Sequence, residues 1–283
     1  RMLLIIRCQE GGFRQRLRFH CEQEQVEVFG KKIRLLCLNR ASRLPARKLA
    51  ALCQNMPVLL SSQIGEKQRE LLARAGMRLY AAPAVSPLSL RLCVNCAIEL
   101  LEQSGIPFPC QALGIIDPHF RHAALTRHAL LHLTQVRILT DNLPAAQQFA
   151  HQMMAEYGAP VTFSDNPDVL PEDGLTFSPE GILPERNLPL LFPTQPASDM
   201  TWTAPIFYSP KPVLPEQLAA LTTEGVDSRD LLEALYALER CKMLEKQGPA
   251  SLYLRKNGEV EKEIAPAEAS RILLQLFHEK RGM

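Results

Sequence analysis

Four of the chain's seven histidines fall in one stretch, LGIIDPHFRHAALTRHALLHL at 113 to 133, and Asp117 stands directly ahead of them. Imidazoles and a carboxylate this close in sequence can ligate a metal, move protons, or receive the phosphates of a nucleotide where a strand turns into a helix. A helix over 119 to 133 constrains the choice. At about 100° per residue, His119 and His122 point away from His128 and His132, so this helix cannot bring all four onto one ion. His128 and His132 share a face with Arg121, opposite Leu125, Ala129, Leu130 and Leu133, which predicts a solvated or partner-facing stripe. The glutamate of an HExxH zinc site is missing, and no metal is expected.

The other chemistry-bearing residues are sparse. Cys93 and Cys96 form the one close cysteine pair, with no second pair to complete a zinc set. They lie well inside a helix started by Ser86 and Pro87, away from the N-terminus that would activate a thiolate. The eight cysteines sit among apolar neighbours, as in IRLLCLN, which predicts buried, reduced thiols and a cytoplasmic protein. Ser61, Ser62 and Gly65, in LLSSQIGEKQ between a strand and a helix, could form a small-anion nest or simply cap the helix. Neither GxSxG nor GxxxxGK[ST] occurs in the sequence.

The elements that must position these residues alternate between strand and helix. Residues 1–85 read as a basic N-terminal α/β domain. It opens with a strand at 2 to 7, followed by Phe13, Gln15, Leu17 and Phe19 alternating with Arg14, Arg16, Arg18 and His20. A neighbouring strand at 24 to 29, with Glu22, Glu24 and Glu27 in or beside it, would set acid opposite base. IRLLCL, PVLLSS and MRLYAA then read as strands, separated by the helices PARKLAALCQN and GEKQRELLARAG. Near-continuous apolar strands separated by helices indicate a parallel sheet covered on both faces. Residues 86–105 form a long connector helix. A Rossmann-like domain follows at 106–212, with the strands ALGII, VRILT and PVTFS and a helix over LPAAQQFAHQMMAEYG that Asn142 can cap. Eleven of the 22 prolines lie between 165 and 215, which forbids long helices there and leaves short strands at GLTFS, LPLLFP and APIFYS. Residues 213–283 read as a helical tail: a short helix from 215, a strong one from 227 to about 247, a β-hairpin turning at Asn257-Gly258, and a final helix from 266.

The fold class expected is therefore α/β, two Rossmann-like parallel-sheet domains joined by a long helix, with a helical C-terminal region. Over roughly residues 1 to 165 this layout resembles that of shikimate dehydrogenase and glutamyl-tRNA reductase, two-domain NAD(P)-dependent enzymes. The resemblance implies a second domain that binds a dinucleotide, with glycines after its first strand and a ribose-binding residue at the end of its second. Asp141 occupies that second position, where it could also act as a helix cap. The glycines are missing: LGII runs into Asp117-Pro118-His119-Phe120, and no glycine lies between Gly114 and Gly158. An aspartate repels pyrophosphate and a proline has no N–H to offer it, so no cofactor is predicted and NAD(P) is disfavoured. The tail resembles a winged helix, but its 10 basic and 12 acidic residues, with Asp227, Asp230 and Glu233 early in the second helix, favour protein contact over nucleic acid.

Charge is uneven along the chain. Residues 1–85 hold 16 Lys and Arg against 6 Asp and Glu, a net +10 in a chain of net +2, which suits an anionic partner or docking onto the acidic remainder. No apolar run approaches the roughly 20 residues of a membrane span, so no membrane partner is expected. The expected function is a non-catalytic or degenerate Rossmann-like protein, binding a small ligand or a protein partner. Its site would lie at the strand C-termini around Asp117, His119, Asp141, Asn142, Ser164 and Asp165. Two alternatives stand beside it: an NAD(P)-dependent oxidoreductase with an atypical cofactor loop, and a nucleic-acid-binding protein using the basic N-terminal segment. A homo-oligomer is compatible with all three.

Overall fold

The computed structural model describes residues 3–9, 21–28, 30–39, 46–53, 56–83, 85–197, 201–214, 216, 218–219, 225–256 and 262–282. The basic alternation at 13 to 20 and the Asn257-Gly258 turn lie outside them. The chain divides into two compact units, Arg1–Pro83 with Leu214–Leu244, and Ala84–Val213 with Glu245–Met283. Both are α/β.

In the first unit, β1 (Leu4–Gln9), β2 (Cys21–Val28), β3 (Lys31–Asn39), β4 (Pro57–Leu60) and β5 (Arg78–Leu79) form a sheet in the order β2-β3-β1-β4-β5. Among the described strands of this sheet only β2 runs antiparallel. It pairs with β3, setting Glu27 opposite Lys32. β4 is apolar and buried along its whole length, and β1 and β3 are so at Leu4, Ile5, Ile6, Leu35, Leu36 and Cys37. Leu4, Ile6, Leu36, Val58 and Leu60 pack with Leu49 of α1 (Ala46–Cys53) and Leu72 of α2 (Glu66–Arg74).

The second unit holds eight strands: β6 (Ala112–Ile116), β7 (Gln135–Leu139), β8 (Val161–Ser164), β9 (Leu175–Phe177), β10 (Leu190–Phe192), β11 (Ile206–Pro212), β12 (Pro249–Arg255) and β13 (Lys262–Ile264). Their order is β13-β12-β11-β10-β9-β6-β7-β8. From β8 to β11 the strands are parallel and follow the doubly wound 3-2-1-4-5-6 order, so the sheet reverses direction between β6 and β9. One face is covered by α3 (Pro87–Gln103), α4 (Ala123–Leu130) and α7 (Pro266–Arg281), with Val94, Ala97 and Leu101 meeting Leu113, Ile115, Ile138, Phe177, Leu273 and Phe277. Here α5 (Leu143–Tyr157) lies beside β8. The opposite face carries proline-rich segments in place of helices. Leu170 and Leu188 cover Ile116, and Trp202 packs on Leu190, Phe192, Ile206 and Tyr208.

Four expectations change. The long helix at 86–105 is a core element of the second unit: Ser86 Oγ accepts the Ser89 N–H at 2.8 Å to start it, and nine of its side chains are buried. The tail is not one domain, since 214–244 and 245–283 belong to different units. Its hairpin is no wing, because β12 pairs antiparallel with β11 and extends the large sheet. The helix expected over 227 to 247 is α6 (Ser228–Glu239), which stops where Arg240 turns left-handed at φ 53°. Among the described residues no helix is long and apolar enough to cross a membrane.

Candidate functional site

The residues predicted to form a site gather along the ends of β6, β7 and β8. Asp117 follows β6 and is 1% exposed. Its Oδ1 accepts the N–H of Arg121 at 2.8 Å, and its Oδ2 accepts that of His122 at 2.7 Å. The turn closes with Phe120 at φ 53°, whose ring meets Phe149 edge-on at 5.5 Å. For this reason α4 begins only at Ala123, and His119 and His122 precede it rather than riding on it. In a dinucleotide-binding sheet the N–H groups of this turn face pyrophosphate. Here they face the chain's own carboxylate.

The neighbouring loops are tied to the same turn. The Asp141 N–H and the Thr140 hydroxyl both donate to the Pro118 carbonyl, at 3.0 and 3.2 Å, and the Asn142 side chain reaches the His119 carbonyl at 3.5 Å. Asn142, not Asp141, caps α5, accepting the Ala145 N–H at 3.4 Å. The Thr140 N–H donates to the Ser164 carbonyl, and Ser164 Oγ bonds Asp165 and Asn166. All six predicted residues are thus neighbours. Their backbone groups are largely spent on one another, leaving the exposed side chains of His119, Asp141 and Asp165 to face outward.

Across the reversal point lie residues that sequence reasoning missed. Ser178 follows β9 and donates to the Ile182 carbonyl at 2.8 Å. Glu180 places Oε1 4.0 Å from both Arg121 Nη1 and His122 Nε2, and that imidazole nitrogen is buried with no hydrogen-bond partner. Nothing in the sequence joins Glu180 to His122, because only the strand order makes them neighbours.

Of the expected stripe, His132 is exposed, whereas His128 is partly buried and internally paired. His128 Nε2 lies 2.8 Å from Asn95 Oδ1, and Asn95 Nδ2 donates to the carbonyls of Glu245 and Gln247 at 2.9 and 2.8 Å. With the amide fixed that way, Nε2 carries the donated proton. His132 meets the His128 ring at 5.1 Å. Burial, reinforced by the charges of Arg91 and His132, lowers the His128 pKa from 6.5 to about 4. The folded chain therefore excludes a proton that the unfolded chain takes up near pH 6.5. The stabilisation is complete above that pH and is lost as the pH falls toward about 4. Solvent screening of the half-exposed ring holds the loss to about 1–2 kcal/mol. In urea titrations between pH 7 and pH 4, His128→Gln is expected to flatten this part of the stability profile.

In the first unit the N–H groups of the Ser61, Ser62, Gly65 loop are likewise donated within the chain. Ser61 donates to Ile6, Ile64 to Ser61, Gln63 to Ser61 Oγ and Gly65 to Gln68 Oε1, while Ser62 reaches the Gly225 carbonyl at 2.7 Å. Gly225 has φ 82°, and a Cβ there would stand 2.9 Å from Ser61 Oγ, so only glycine brings its carbonyl this close. Asp230 Oδ1 accepts the Ala82 N–H at 3.1 Å beyond β5, and burial raises its pKa against the pull of that bond. Glu233 is 3% exposed and Asp230 partly buried, so these two acids of α6 face inward, while Asp227 at its start is exposed. Among the described residues no three His, Cys, Asp or Glu side chains are grouped to hold a metal ion.

No protein-family model matches the sequence, and no curated protein matches it. Among solved structures the chain is similar to an ornithine carbamoyltransferase from Pyrococcus furiosus, at 16% identity over 62% of this chain and 58% of that one, with a TM-score of 0.25. It is also similar to an L-tryptophan dehydrogenase from Nostoc punctiforme, at 12% identity over 90% of this chain and 72% of that one, with a TM-score of 0.30. The chain thus spans 58% of the length of the carbamoyltransferase.

Proposed function

We propose that the protein is a non-catalytic, degenerate Rossmann-like binding protein. It would take a small ligand or a protein partner at the outward side chains of the β6, β7 and β8 ends, without NAD(P). The observation that carries this reading is the buried Asp117 carboxylate on the Arg121 and His122 N–H groups. A dinucleotide would have to displace that carboxylate or place its own charge beside it, and like charges a few ångströms apart in a poorly solvated turn repel strongly. The first unit supports the reading in the same way, since the loops after β4 and β5 receive a carbonyl from Gly225 and a carboxylate from Asp230.

The test is thermal melting with each of NAD+, NADH, NADP+ and NADPH at millimolar concentration. A ligand that binds the folded state at a hundred times its Kd adds about 2.7 kcal/mol, a shift of several degrees. The expected result is no shift beyond that produced by an equal ionic strength of sodium chloride. A saturating rise with any one of the four would overturn the proposal and restore the oxidoreductase reading.

A further inference from the structure

Arg137 stands in the middle of β7, a parallel strand whose neighbours on either side, Val136 and Ile138, are fully buried. A charge in that position is unusual, because parallel strands are ordinarily apolar on both faces. It is accommodated because this face of the sheet carries proline-rich segments where a doubly wound sheet would carry helices. In register, Arg137 lies between Gly114 and Thr162. Thr162 is exposed, so the face remains open on that side.

Two adjoining cavities, of about 280 and 380 Å³, share Arg137 and Asp168 in their walls. The smaller is also lined by Glu172, Asp173, Arg186, Lys280 and Arg281. Its three carboxylates are already committed. Asp168 lies 3.5 Å from Arg186, Glu172 pairs with the other terminal nitrogen of Arg186, and Asp173 Oδ2 accepts from Arg281 Nη2 and Nε at 2.6 and 3.0 Å. The half-buried Arg137 has, among the described residues, only a neutral partner, donating from Nη2 to Gln135 Oε1 at 2.9 Å. Among the described residues, neither Arg137 nor Lys280 has a carboxylate within ion-pair distance.

We infer that this cavity binds a small dianion, a phosphate or a short dicarboxylate, held by Arg137 from the strand and Lys280 from the end of α7. The guanidinium is pre-positioned by Gln135 and keeps the rest of its donor fork for an oxyanion, the geometry in which arginine binds best. The volume lies at or below the small end of ligand sites, roughly 300–1,000 Å³, which suits a few-atom anion and excludes a dinucleotide. This site does not depend on the reading of the strand ends, and either can fail alone.

The experiment is calorimetric titration of the full chain with inorganic phosphate and, separately, with succinate, at an ionic strength held constant with sodium chloride. The proposal expects saturable binding of at least one of them, and the arm that binds tighter identifies the source. Arg137→Gln is expected to weaken it at least tenfold, and the exposed Lys280→Gln about threefold. Lys280→Gln is on the surface and serves as the folded control should Arg137→Gln not fold. Heat that follows chloride equally, no saturable heat with either anion, or affinity unchanged in the variants would each overturn the inference.

Discussion

Replacing Gly174 with alanine is expected to melt the second unit roughly 10 °C below the parent chain. A Cβ at Gly174 would stand 2.3 Å from the Ala112 carbonyl oxygen and 3.0 Å from Pro171 Cβ. The first of these is backbone, at the entry of β6, one residue before Leu113 pairs with Leu175. Relief therefore requires β6 and β9 to part by several tenths of an ångström at the centre of the sheet, where close packing leaves no slack. About 3–4 kcal/mol follows from overpacking against a rigid neighbour, and each kcal/mol moves the melting point of a unit this size by about 2–4 °C. Gly181→Ala is the control. Gly181 has φ 73° but open space around it, so alanine there costs about 1 kcal/mol from backbone strain alone. Thermal denaturation of the two variants separates the effects, and equal shifts would refute the close-contact account.

The second large effect belongs to Asp117. Asp117→Ala removes both acceptors from the partly buried N–H groups of Arg121 and His122. Two charge-assisted bonds lost, with two partly buried donors left without a protein acceptor, cost about 2–4 kcal/mol. Asp117→Asn keeps one acceptor oxygen and costs about 1–2 kcal/mol. Urea titration gives these values, and hydrogen exchange at the amides of 121 and 122 should lose protection in the alanine variant. A further result separates an internal anion from an ordinary turn. Acetate or formate should raise the midpoint of Asp117→Ala and leave the parent chain unchanged, because only the variant exposes two converging N–H groups. If both respond alike, the carboxylate is not standing in for a ligand.

Much of the architecture could be read from residue patterns. The apolar runs at ALGII and VRILT, Ser86-Pro87 ahead of α3, and Asn142 ahead of α5 each act through local chemistry, so a linear reading locates them. The loss of glycine after β6 was also visible, and with it the departure from a dinucleotide turn. What was hidden depended on the order of strands. Glu180 meets His122 because β9 lies beside β6, and no local rule links residues 58 positions apart. Within the histidine stripe His132 is exposed as its polarity predicts, and only His128 departs, for a related reason. The polarity of His128 matches solvent equally well, but Asn95 of α3 supplies the partner that satisfies it. The winged helix failed because a hairpin looks the same whether it stands free or joins a sheet edge, and only β11 decides between them. Arg137 carried a signal that could have been used, a charge inside a strand otherwise read as buried on both faces.

Residues 214–244 complete the first unit, and this has a consequence for how the chain is made. When Pro83 leaves the ribosome, the loop after β4 still lacks the Gly225 carbonyl, and the surface that will bury Leu231, Leu232 and Leu235 is bare. Those groups arrive about 160 residues later, at Leu244. At about 5–20 residues per second, the nascent first sheet waits on the order of ten to thirty seconds with its strand ends open. Synthesis order and folding order are therefore decoupled. The part of the first unit that is made before 214–244 is the one that must be kept from associating with the wrong neighbour.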